Sequence, residues 1–112
     1  MSKLQTILTT LDEKKADNIK VYDLSNTEQI HQTMVICDAN NLRLIQAIKD
    51  YLEDGLENHG YAVHHSEGKH NSEWILLDVH DILIHIFLDH ARWFYHLDDL
   101  WADQPHYQYK EN

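Results

Sequence analysis

Cysteine, proline and glycine are nearly missing from this chain, with one, one and three residues among 112. A single cysteine, Cys37, excludes an intrachain disulfide and points to a reducing compartment. The only proline, Pro105, falls in the last stretch of the chain, so nothing before it carries a proline breaker. No Gly-Ser phosphate loop precedes any strand-like run, and no nucleophile stands beside a base. Basic residues are scarce too: nine against nineteen acidic ones, for a net charge of −10. Such a field repels phosphates, and Lys14-Lys15 is the only adjacent basic pair, so no direct nucleic-acid contact is expected. A basic protein partner fits the charge, although acidity also keeps a protein in solution. No apolar run is long enough to cross a bilayer, so no membrane partner is expected. The first fifteen residues carry Asp12 and Glu13 and lack the apolar core of a signal peptide. The expected location is the cytoplasm.

What is present is the patterning of one domain, with 43% apolar residues. Leu4, Ile7, Leu8 and Leu11 recur at helical spacing behind a capping Ser2, which predicts a helix over residues 3–14. Strands are expected over 19–24 and 33–37, separated by a polar loop. Ile45, Ile48, Leu52 and Leu56 line one face of a helix over 41–58, which ends at His59-Gly60. A further strand is expected over 61–65 and a loop over 66–72. The spacing then predicts strands at 74–79 and 82–88 joined by His80-Asp81, and a short helix with an extension over 89–101. Phe94, Leu97 and Trp101 fall on one face of that last segment. The order implies an α+β fold: a single mixed β-sheet with flanking helices, in the simplest case all on one side. The helix between 33–37 and 61–65 allows a parallel pair there. Residues 1–101 form the domain, and 102–112 a tail expected to fray.

Residues 74–101 hold all three tryptophans. Strand alternation places Ile75, Leu77, Val79, Ile82, Ile84 and Ile86 on one face, as core under helices. The other face carries Trp74, Leu76, Asp78, His85 and Phe87. That mixture of polar and aromatic side chains suits a face covered by a partner. Trp74 is the expected anchor, with simple core packing as the competing reading. Glu67, Asp78 and Asp81 are placed to meet lysines and arginines, against turn and strand-end roles for the two aspartates. Tyr95 and Trp101 are expected to pack the last helix on the sheet, and Arg92 to pair with Asp89 or Glu67.

The order of short motifs from Lys14-Lys15-Ala16 to Trp101 resembles the ribosomal silencing factor family, also called the Iojap family. The pieces are Lys-Lys-Ala-Asp-Asn-Ile at 14–19, Val-Ile-Cys at 35–37, Arg43 with Gln46-Ala47-Ile48, and Glu67-Gly68. Trp74-Ile-Leu-Leu-Asp78 follows, then Asp81, His85-Ile-Phe87, Arg92, Phe94-Tyr95, Leu97 and Leu100-Trp101. The resemblance implies a nucleotidyltransferase-like fold without its catalytic motif. It also implies binding to the large ribosomal subunit through its basic fourteenth protein, at the face that meets the small subunit. Blocked subunit joining and lowered translation under starvation would follow. Some relatives act in large-subunit assembly in organelles, and a homodimer of the free protein is implied as a second state. The chain departs from the pattern at Ala39 and His80, where relatives carry glycine, at Gln32, where Asp is common, and at Asp89, where proline is usual.

Two rival readings are weaker. Ten histidines, among them His64, His65, His70, His80, His85 and His90, raise a metal site. Their spacing is scattered, there is no His-Glu-x-x-His, and one cysteine makes no thiolate site, so no metal and no cofactor are expected. A nucleotidyltransferase would need paired carboxylates on metal ions; Asp78 and Asp81 are the nearest pair and a turn divides them. Cys37 in an apolar strand is expected to be inert. No catalytic residue is assigned, and the chain is not expected to be an enzyme.

Overall fold

The first helix starts at its capping residue. In the computed structural model, which describes residues 2–68 and 72–110, α1 runs Lys3–Glu13. The Ser2 side chain accepts from the Gln5 amide, and the Gln5 side chain accepts from the Ser2 amide. This reciprocal box satisfies two amides that a helix start leaves unpaired. α2 runs Leu42–Asn58, with the Asn41 side chain capping the Leu44 amide. It ends as His59-Gly60 implies. Gly60 takes φ +81°, its amide donates to Glu57, and the Tyr61 amide reaches back to Leu56. That is the paired closure of a Schellman motif.

The strands are β1 (Asp17–Asp23), β2 (Thr33–Ala39), β3 (His65–Glu67), β4 (Trp74–Val79), β5 (Ile82–Leu88) and β6 (His106–Gln108). They form one sheet in the order β3-β4-β5-β2-β1-β6. All neighbours are antiparallel except β2 and β5. The parallel partner of β2 is thus β5 and not the 61–65 segment, whose predicted strand also moves to His65–Glu67. Tyr61 and Val63 pack against the core as an irregular connection instead. β4 and β5 make the predicted hairpin, with His80 at φ +65° in the turn. Gly68, after β3, takes φ +112° and leaves no room for a Cβ, which would sit 2.9 Å from the Ile75 side chain. Residues 102–110, set apart in the sequence as a tail, return to add β6 to the outer edge of β1.

Helices lie on both sides of the sheet. α1 and α2 cover the aliphatic face, where Ile7, Leu11, Ile45, Ile48, Leu52 and Leu56 meet Val35, Ile75, Leu77, Ile84 and Ile86, all buried. Fully burying one such side chain contributes roughly 1.5–3 kcal/mol, so this layer dominates stability. α3 (Asp89–Tyr95) and α4 (Leu97–Leu100) turn back over the opposite face, which corrects the one-sided packing expected. His96, left-handed at φ +55°, separates them. Among the described residues no helix is long and apolar enough to cross a membrane.

Candidate docking surface

Strand pairing assembles most of the expected residues. Trp74 lies opposite Phe87, Leu76 opposite His85 and Glu67 opposite Leu76, so Glu67, Trp74, Leu76, Asp78, His85 and Phe87 share the face away from α1 and α2. Asp81 sits apart in the hairpin turn, bonded to Lys3; that contact holds its carboxyl below the usual range.

Depth sorts these residues. Trp74 is half-buried, and so are Leu76 and Asp78. Phe87 has no exposed surface and His85 only 6%, so within this chain both lie sealed beneath Trp74 and not on the open surface expected for them. Phe87, Trp74, Tyr95 and Phe94 form a continuous ladder, with successive ring centroids 4.9, 4.8 and 5.2 Å apart. The ladder runs from the core to solvent, where Phe94 is 75% exposed. Aromatic contacts of this kind contribute about 0.5–1.5 kcal/mol each beyond burial.

The carboxylates on this face are already engaged. Asp78 meets His31 Nε2 at 2.9 Å, and Glu67 meets His65 Nε2 at 3.0 Å. Both pairs retain exposed surface, and such bonds are weak enough to yield to a cationic partner.

α3 and α4 bury little apolar surface: only Ala91 is buried on α3, and no residue on α4. A polar clamp supplements them. Arg92 donates to Asp98 through Nε (2.9 Å) and Nη2 (3.1 Å), and through Nη1 to Asp38 (2.9 Å) and the Asn18 carbonyl (2.6 Å). The Tyr22 hydroxyl donates to Asp98 at 2.7 Å. Burial pushes the Asp38 carboxyl up while Arg92 draws it back; burial raises Asp98 too, but Arg92 and Tyr22 outweigh it and hold it low. Arg92 thus pairs within the fold, as expected, but with Asp38 and Asp98 in place of Asp89 or Glu67.

The sequence reading missed the exposed aromatic ridge. Trp93 is 78% exposed and Leu100 64%. Leu97 and Trp101 pack on the core as predicted, whereas Phe94 leaves their face because the left-handed His96 breaks the helical phase. One signal was available. Three consecutive aromatics, 93–95, sweep about 200° around a helix and cannot all face one sheet. Trp93 turns away to wall a hollow with Lys20, Asp89, His96 and Asp99.

Among the described residues no three His, Cys, Asp or Glu side chains converge to hold a metal ion, and His70 lies outside those residues. His64 and His80 stack at 5.2 Å in the connection and hairpin turn. Cys37 is buried, and burial pushes its thiol up to about 12, which leaves the nucleophilic thiolate unpopulated.

Comparison with known proteins agrees with these motifs. Residues 1–112 match the model of a family described as ribosomal silencing factor during starvation. A ribosomal silencing factor of Bacillus subtilis is 30% identical over 104 residues, which cover 93% of this chain and 88% of that protein. One of Haemophilus influenzae is 30% identical over 102 residues, covering 91% and 100%. A chloroplastic Iojap protein of Arabidopsis thaliana is 34% identical over 89 residues, 80% of this chain and 37% of that protein. A crystal structure of a Chromobacterium violaceum protein superposes with a TM-score of 0.85 at 25% identity, covering 94% of this chain and 90% of that one.

Proposed function

Since the chain belongs to the ribosomal silencing factor family, we propose that it binds the large ribosomal subunit and sterically blocks joining of the small one. The contact is a basic protein at the subunit interface, the fourteenth of the large subunit, and the result is lower translation in starvation. The reading places the protein in the cytoplasm, requires no catalytic residue or cofactor, and allows a homodimer when no ribosome is bound. The observation that supports it most is the aromatic ladder: a half-buried Trp74, backed by a sealed Phe87, among carboxylates on an acidic chain. Interfaces of this kind concentrate binding in a few aromatic anchors inside a polar rim. Glu67, Leu76 and Asp78 form the rim on the sheet side, while Asp81 stays with Lys3 at the hairpin turn. Phe94, Trp93 and Leu100 extend the apolar surface on the helix side.

Steric competition scales with occupancy, so the test is sedimentation of the purified chain with separated ribosomal subunits. It should pellet with the large subunit alone and suppress reassociation. Trp74→Ala, folded by circular dichroism, should weaken this binding about 30-fold or more, as expected for an anchor of ~2 kcal/mol. Full-strength binding by that variant would remove Trp74 from the interface.

A further inference from the structure

The Trp74 indole is oriented by a histidine. Its Nε1–H donates to His85 Nδ1 at 2.9 Å. An indole is only a donor, so Nδ1 must be bare, and neutral His85 carries its proton on Nε2. His85 lies in β5 beside Phe87, the two rings nearly parallel at 13° with centroids 6.1 Å apart. Burial pushes its pKa down to about 4, with His31 acting in the same sense and Asp98 opposing. The accepting form is therefore the one present near neutral pH.

This bond uses the only polar atom of the Trp74 side chain. Phe87 and Tyr95 hold the indole at 4.9 and 4.8 Å, yet their own centroids are just 6.3 Å apart. Rings sandwiching the indole would lie much farther from each other. They support it from adjacent directions, and the half-buried ring keeps accessible surface.

We propose that His85 is a positioning residue: its Nδ1 fixes the Trp74 indole so that the partner meets ring surface with no free N–H. The proposal rests on the reading of Trp74 as the large-subunit anchor and specifies its chemistry. The ring receives a lysine or arginine side chain of a basic protein by stacking and cation–π contact, with no hydrogen bond from the indole.

The test uses the full 15N-labelled chain, with the Trp74 indole resonance assigned through Trp74→Phe. In the wild type, the Trp74 indole N–H should exchange with solvent far more slowly than that of exposed Trp93. His85→Asn, whose side-chain oxygen replaces Nδ1 as acceptor, should keep that protection and the affinity for isolated large subunits. His85→Phe keeps an aromatic ring but removes the acceptor. It should lose the protection and bind roughly 5- to 10-fold more weakly, the worth of about one net hydrogen bond. A folded His85→Phe protein with undiminished affinity would overturn the proposal. So would a wild-type Trp74 N–H that exchanges as fast as Trp93. If His85→Phe does not fold, His85→Leu replaces it, and the wild-type exchange rate remains decisive by itself. A wild-type chain that ignores ribosomal subunits sinks the proposed function alone, because indole exchange still reports whether His85 orients Trp74.

Discussion

The two faces of the sheet are built on different principles. Under α1 and α2, aliphatic side chains interdigitate and nothing polar is needed. Under α3 and α4, one buried alanine, a guanidinium clamp and a line of rings do the holding. The first face is stable because its contacts are many and interchangeable. The second has few contacts, each directional, and therefore fixes where particular side chains point. On the proposed reading, that division suits the protein: bulk stability on one side, defined geometry on the other.

Four experiments break or sharpen the contrast. The largest effect is expected from Arg92→Ala, which strands Asp38, a carboxylate with 5% exposure, and should cost about 3–5 kcal/mol in urea denaturation. If the clamp matters as little as an exposed ion pair, the loss will stay under ~1 kcal/mol. Leu52→Ala, on the aliphatic face, should cost about 2–5 kcal/mol yet leave large-subunit affinity of the folded fraction unchanged. A matching drop in affinity would show the two faces are not separable.

The third experiment concerns acid. An unfolded His85 takes up its proton near 6.5, the folded one only near 4. The unfolded chain therefore binds the extra proton between those values. Stability is complete above about pH 6.5 and declines as pH falls toward 4, by roughly 3 kcal/mol at most. Paired urea titrations of the wild type and His85→Asn should show this acid limb shallower in the variant; identical slopes would mean His85 is not buried as described. The smallest effect is at the turn. His80→Gly relieves a left-handed φ of +65° and should raise stability by about 1 kcal/mol or less, read as a higher Tm.

How much of this was legible from sequence follows the same division. The aliphatic face announced itself, because its periods of 3.6 and 2 are local: α1, α2 and the 74–88 hairpin lie where Leu, Ile and Val spacing puts them. The choice of β5 as the parallel partner of β2 is set by long-range packing, which local pattern does not carry. The polar face was legible only in outline. Alternation grouped Trp74, Leu76, Asp78, His85 and Phe87 on it, but not their depth, because depth depends on Tyr95 returning from α3. The carboxylate partners of Arg92 come from β2 and α4; the left-handed break at His96 sets where α4 and Asp98 lie, and nothing in a histidine signals that conformation.

β6 has a practical consequence. A three-residue ribbon, His106–Gln108, closes the side of β1 that would otherwise offer unpaired amides and carbonyls to any passing strand. Truncating the chain after Trp101 would leave the aromatic ladder in place and turn β1 into a template for sticking to other molecules.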